Sequence, residues 1–262
     1  MAAMITPEQV IAAAREAGLK DEDLHLSGIA VLTFNKGIVD RMQELCDLKD
    51  AEWLSPRYHP FGGCEVAKRG RYQGLEVTVL VPPMGASPLA CVVEDLVVCG
   101  VKGVFLACAS WSLGGPVEFG DIIIPSYALG PDGTSLHYGN TEKRVEGDQA
   151  VIDALATAAR KRGATVHVGG NVTCEAFYRI TPQMVKDFRK QGCFCMENGE
   201  ASSLFAVCRT LGVPGGAVFQ PYIDLTEGWN PKRLNEQYRA TCRLQGEVVL
   251  EAAVQLRKQR VL

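Results

Sequence analysis

The chain has 262 residues, 47% of them hydrophobic and 22% charged, a globular composition with enough apolar residues for one large core. A formal net charge of -3, with no basic run longer than three residues, excludes an electrostatic footprint for nucleic acid or an anionic membrane and leaves a small molecule as the expected partner. No window approaches the roughly 18 apolar residues of a membrane span, and ten cysteines behind an N-terminus without a signal-peptide pattern read as reduced thiols of a cytoplasmic protein.

The first predicted element is a helix over 7–17, opened by Thr6 and Pro7, a capping hydroxyl before a proline at the first helical position, and stopped at Gly18. A strand over 28–34 and a helix over 37–46 follow, then strands over 64–71 and 75–81 and a helix over 87–99 that stops at Gly100. Strands over 103–109 and 121–126 precede a helix over 148–162, a strand over 164–172 and a helix over 182–191 that begins at Thr181-Pro182. The last elements are a strand over 193–197, a helix over 200–211 ending at Gly212, a strand over 215–220 and a helix over 231–258.

Apolar strands alternating with helices predict an α/β protein: one three-layer αβα domain over 1–262, with a central mixed, mostly parallel twisted sheet. Residues 1–22 and 231–262 add a terminal helix at either end. Ligands of such sheets bind beyond the carboxyl ends of strands, so the loops after residues 34, 81, 109, 126, 173, 197 and 220 are expected to build the site. The long segment Gly130–Gly147, rich in Gly, Asp, Asn and Thr, is a candidate rim for it. Cys193 and Cys195 form a lone C-x-C pair, which lacks the second half of a zinc site, so no metal or organic cofactor is expected.

The most specific stretch runs from Val93 to Tyr138, with "EDL…GVK", a strand and a small-residue turn, "FGDIIIP" and "DGTSLHY" in succession. With "DLHLSG" at 23–28, "GNVTCEAFYR" at 170–179 and "GEASSLFAVCRTLGVPGG" at 199–216, it resembles the nucleoside phosphorylase family of uridine phosphorylases, hexameric purine nucleoside phosphorylases and methylthioadenosine nucleosidases. The resemblance covers nearly the whole chain from Asp23 onward. It implies cleavage of a nucleoside's N-glycosidic bond through an oxocarbenium-like sugar, which calls for a carboxylate on the sugar hydroxyls, a stacking ring for the base and a nucleophile below the sugar.

Residue by residue, the resemblance assigns Glu200 to the ribose hydroxyls, with Gly199 beside it, and His25 to the sugar of a neighbouring subunit. It therefore implies a homo-oligomer with shared sites, a dimer or a trimer of dimers. Phe177 and Tyr178 match the aromatic pair at the base; Asp224, one residue beyond Ile223 where the simplest alignment places it, is the nearest candidate for the general acid of purine-cleaving members, and Gln220 is a candidate reader of the base edge.

The acceptor side departs from the family pattern. Where the family carries Gly-Asp-Pro-x-Arg after the first strand, this chain reads Thr33, Phe34, Asn35, Lys36, Gly37; Ala107 replaces a second arginine and Ser110 a threonine. Three readings stay open at this point. Lys36, Ser110, Thr33 and either Arg57 or Arg69 rebuild a phosphate site, with phosphate as co-substrate. Alternatively water replaces phosphate, although Glu52, Glu65 and Glu118 have no evident claim as its base. The third reading is a member that binds a nucleoside without cleaving it.

Overall fold

The computed structural model describes residues 3–262 except 54, 56, 60–62, 131 and 231–233. Helix α1 (Pro7–Glu16) begins where Thr6 and Pro7 predict, with the Thr6 amide donating to the Gln9 side chain in a capping box. A short helix α2 (Asp21–Leu24) leads to β1 (Ile29–Leu32), α3 (Lys36–Cys46), the two-residue β2 (Lys49–Asp50), and the hairpin of β3 (Val66–Tyr72) and β4 (Leu75–Val81). Helix α4 (Ala86–Val98), β5 (Gly103–Ser112), β6 (Ile122–Leu129), β7 (Arg144–Glu146), α5 (Gln149–Lys161) and β8 (Val166–Thr173) form the middle of the chain. It ends with α6 (Pro182–Lys190), β9 (Cys193–Glu197), α7 (Glu200–Leu211), β10 (Gly215–Asp224) and α8 (Glu236–Lys258).

The sheet runs β10-β6-β8-β9-β5-β1-β4-β3-β2, and β10 also pairs with β5. Its long central pairings, β5 with β10 and β6 with β8, are parallel. Strand alternation sends Ala30 and Leu32 to one core, with α1, α4 and α7, and Ile29 and Val31 to the other, with α3, α5 and α8. These are the three layers that the alternation of apolar runs predicts.

The mostly parallel sheet also closes on itself at one end. Strand β5 outruns β1: Gly103–Leu106 pair with β1, whereas Trp111 and Ser112 pair with Met196 and Cys195 of β9. With β10 on its other side, β5 closes a ring through β10, β6, β8 and β9. A third apolar cluster draws on all five ring strands, through Trp111, Tyr127, Val172, Met196 and Ile223 among others. The same continued pairing carries β5, β6 and β10 several residues past the predicted ends at 109, 126 and 220.

Two further boundaries move. The last helix starts at Glu236, where Asn235 accepts from the Tyr238 amide at 3.1 Å; residues 231–233 of the predicted helix lie outside the described residues. The Gly130–Gly147 segment, expected as a rim, is held against α7 in its described residues. It contains a 3₁₀ turn at Ser135–Tyr138 and β7, and it packs on α7, where the Thr210 hydroxyl donates to the Tyr138 carbonyl and the Ser202 hydroxyl to Asp132.

Candidate functional site

Glu200 opens α7, and the turn that delivers it depends on a glycine. Gly199 has φ 113°, and a Cβ there would lie 3.2 Å from the Glu175 side chain and 3.3 Å from Ala86. Only a residue without a Cβ takes this conformation cheaply, which explains why the position reads Asn-Gly-Glu. Glu200 is 3% exposed and accepts from the Gly85 amide at 2.9 Å through Oε1, so its carboxylate is held between the start of α7 and the loop after β4.

That carboxylate lines a cavity of about 310 Å³. Its wall is Cys108, Ala109, Ser110 and Trp111 of β5, its floor Met196, Glu197 and Asn198, and its remaining sides Phe34, Asn35, Met84, Tyr222, Leu234 and Tyr238. The loops expected after residues 34, 81, 109, 197 and 220 thus converge on one opening, with a contribution from α8. The Trp111 indole donates to the Tyr222 hydroxyl at 2.8 Å, and the Tyr238 hydroxyl donates to Asn35 Oδ1 at 3.0 Å. The second bond fixes Asn35, whose Nδ2 is a buried donor without a partner among the described residues.

The loop after β8 reaches this opening through a ring. Phe177, in a 3₁₀ turn at Phe177–Arg179, stacks on Trp111 with centroids 5.5 Å apart and planes tilted by 34°, and Tyr178 lies 4.0 Å from Phe177. Phe177 is 44% exposed and Tyr178 89%, so both lie on the surface rather than in the core, beside the cavity and not among the residues that line it. Ser110 is buried on the cavity wall, its hydroxyl directed at the Gln220 carbonyl at 3.4 Å.

Other sequence candidates lie elsewhere. Gln220 points away from the cavity: it is fully buried against α8, its amide nitrogen beside the Tyr238 carbonyl, Cys242 and Gln245. The strand alternation explains this, because β10 turns Val218 and Gln220 to the α8 side. Asp224 ends β10 outside the lining and accepts from the Thr226 amide and hydroxyl. Thr33 is buried and accepts from the Asn35 amide. Lys36 is exposed and paired with Asp40 one turn along α3 at 2.7 Å. Arg69 donates to the carbonyls of Glu22 and His25, and Arg57 lies over the Tyr58 ring. His25 is exposed in a separate groove with Glu8, Arg15 and Lys102.

A residue without a role in the sequence reading emerges beside Glu200. Glu197 is 5% exposed; its Oε1 faces Asn171 Nδ2 at 2.9 Å and the Thr173 hydroxyl at 3.0 Å, while its Oε2 accepts from the Gly199 and Glu200 amides at 2.8 and 2.7 Å. It therefore caps α7 from three residues upstream of Glu200. Burial, and then the negative charge of Glu200, push its carboxyl well above the ordinary carboxylate range. The one signal in the sequence was an acid closing an apolar strand three residues before a helical glutamate. Burial likewise pushes the Cys108 and Cys195 thiols up. Among the described residues no group of three or more His, Cys, Asp or Glu side chains is placed to hold a metal ion, and no helix is long and apolar enough to cross a membrane.

A carboxylate opening a helix, in a cavity walled by aromatic rings at strand ends, is paired in this chain with a match of residues 29–249 to the family described as the phosphorylase superfamily. The chain belongs to the phosphorylase superfamily. It is 28% identical over 206 residues to a guanosine phosphorylase of Halorubrum lacusprofundi, covering 78% of this chain and 82% of that protein. It is 23% identical over 253 residues to a uridine phosphorylase of Salmonella typhimurium, covering 91% and 96%. A DeoD-type purine nucleoside phosphorylase of Shewanella loihica is 23% identical over 189 residues, covering 71% and 79%.

Proposed function

We propose that the chain, working as a single domain, cleaves the N-glycosidic bond of a nucleoside and releases the free base. The observation that carries this reading is that Glu200 and Trp111 line one cavity, with Phe177 stacked on Trp111 beside it. An ionised Glu200 accepts from the sugar's vicinal hydroxyls through charge-assisted bonds, which hold the ring as its C1' becomes cationic. The exposed ring of Phe177 supplies a face for the base, and stacking on Trp111 sets its tilt. The electron pair of the C1'–N bond leaves with the base nitrogen, and the acceptor's oxygen takes its place at C1'.

Ser110 on the wall and Asn35 at the far end are the neutral polar groups positioned to meet that oxygen. Lys36 and Thr33 serve a phosphate only if α3 or β1 rearranges, because one is turned to Asp40 and the other faces its own backbone. Asp224 acts as a general acid only if Thr226 releases it. His25 is left to complete the site of a neighbouring copy, in a cytoplasmic homo-oligomer that serves nucleoside salvage. The reading calls for no metal or organic cofactor, and inorganic phosphate is the candidate co-substrate. Its test is base release from a panel of purine and pyrimidine nucleosides, with and without phosphate. Release only with phosphate identifies a phosphorylase and release without it a hydrolase. No release from any nucleoside overturns the reading.

A further inference from the structure

Behind the cavity floor lies a line of four buried side chains: Glu197 and Thr173, Ser202, and Asp132 in the loop after β6. None is more than 5% exposed. Glu197 Oε1 is 3.0 Å from the Thr173 hydroxyl, which is 2.9 Å from the Ser202 hydroxyl, which is 2.6 Å from Asp132 Oδ2. Each contact is a hydrogen-bond distance and each needs a hydrogen. The two hydroxyls carry one hydrogen each, so they satisfy at most two of the three contacts; the Gly199 carbonyl, 3.2 Å from the Ser202 hydroxyl, is a further acceptor and supplies none. The third hydrogen must sit on one of the carboxyl groups at the ends.

We infer that Asp132 and Glu197 share one proton through Thr173 and Ser202, and that Glu197 is thereby a positioning residue acting through Glu200. With the proton on Glu197, the carboxyl donates to Thr173, Thr173 to Ser202 and Ser202 to Asp132, and the negative charge rests at Asp132. With all three bonds reversed, the proton rests on Asp132 and the charge on Glu197. Transfer between these states moves hydrogens along the line and breaks no other bond. The first state leaves Glu200 as the one charged carboxylate on the floor, while the Gly199 and Glu200 amides keep their bonds to Glu197 Oε2.

The surroundings favour retention of the proton. The titratable groups facing Glu197 are Glu200 on α7, Cys108 on β5 and Cys195 on its own strand, with Glu175 against Gly199; all of them are acids. The Asp132 carboxylate meets the Ser135 amide at 2.5 Å as well as Ser202, and both are neutral donors. A second ionised carboxylate in such a setting is disfavoured by burial and by like charge together.

The role assigned to Glu200 rests on the proposed function, whereas the shared proton does not. Infrared spectroscopy of the full-length protein at neutral pH reads the proton directly, as the carbonyl stretch of an un-ionised carboxyl that shifts in heavy water. Asp132→Asn supplies the third hydrogen from its amide, so the variant keeps every contact, lets Glu197 ionise and loses the band. Glu197→Gln supplies that hydrogen from the other end of the line and loses the band as well, which keeps the test usable should Asp132→Asn fold poorly. Glu200→Gln retains it. Absence of the band in the wild type, or its persistence in Asp132→Asn, overturns the inference whether or not any nucleoside is cleaved. Where cleavage is measurable, the wild-type kcat/KM falls as pH rises and the proton is lost. Asp132→Asn is already lower by at least about tenfold at neutral pH, as an added like charge at a buried site requires, and lacks that alkaline fall. A retained alkaline limb in Asp132→Asn contradicts the role given to Glu197.

Discussion

The two ends of the cavity are built on different principles. At the α7 end, Glu197 and Glu200 are buried and their oxygens are met by backbone amides and fixed side chains, so the carboxylates have little freedom. At the Trp111 side, Met84 and Leu234 of the lining and Phe177 and Tyr178 beside it are exposed, and one tilted stack on Trp111 orders the rings. A charge is useful only in one place and is expensive to misplace in a dry wall, so the chain fixes it with hydrogen bonds. An aromatic face tolerates small displacements, so it can be left on a surface turn.

Substitutions at the two ends should separate this contrast into measurable parts. The largest effect is expected at the fixed end: Glu200→Gln keeps the shape but removes a charge-assisted bond of about 1.5–3 kcal/mol, lowering kcat/KM by roughly 10- to 150-fold with little change in melting temperature. An unchanged kcat/KM would leave the α7 end without a functional part. Gly199→Ala comes next, because a Cβ at φ 113° costs about 1–2 kcal/mol and displaces the start of α7. Both the melting temperature and kcat/KM should fall, whereas a loss of stability alone would show that Glu200 does not depend on this turn.

At the Trp111 side, Phe177→Ala removes a stacking face of about 0.5–1.5 kcal/mol, which raises KM by roughly 2- to 12-fold and leaves the melting temperature unchanged. An effect on stability in place of KM would make Phe177 a packing residue. The smallest effect concerns the thiols. A thiol reagent at neutral pH should modify the exposed Cys91 and half-buried Cys174, whereas Cys108 and Cys195, buried and with their thiols pushed up, react only on unfolding. Mass mapping of labelled peptides checks this, and labelling of Cys108 in the native protein would mean that the cavity wall opens.

The layers were legible in the sequence because period-2 and period-3.6 patterns report which face of each element is buried. Thr6-Pro7 and Thr181-Pro182 marked helix starts correctly because their capping chemistry is local. The closed ring was not legible, since it depends on where Trp111 and Ser112 find β9, a pairing between residues some eighty positions apart. The family resemblance pointed to Glu200, whose place at a helix start alone suits a dipole-offsetting glutamate, and nothing pointed to Glu197, because a buried acid is recognised by its donors and those come from β8 and the turn before α7. Gln220 shows the reverse: its residue type suits reading a base, while the strand alternation turns it to α8.

The claim that Glu200 grips the sugar hydroxyls is tested most directly by a cycle of two enzymes and two substrates. kcat/KM is measured for a ribonucleoside and its 2'-deoxy counterpart with the wild type and with Glu200→Gln. The wild type should lose about tenfold or more on removal of the hydroxyl, and the variant much less, because the bond it would lose is already weakened. An equal loss in both enzymes would place the hydroxyl's partner elsewhere in the molecule and remove Glu200 from the sugar.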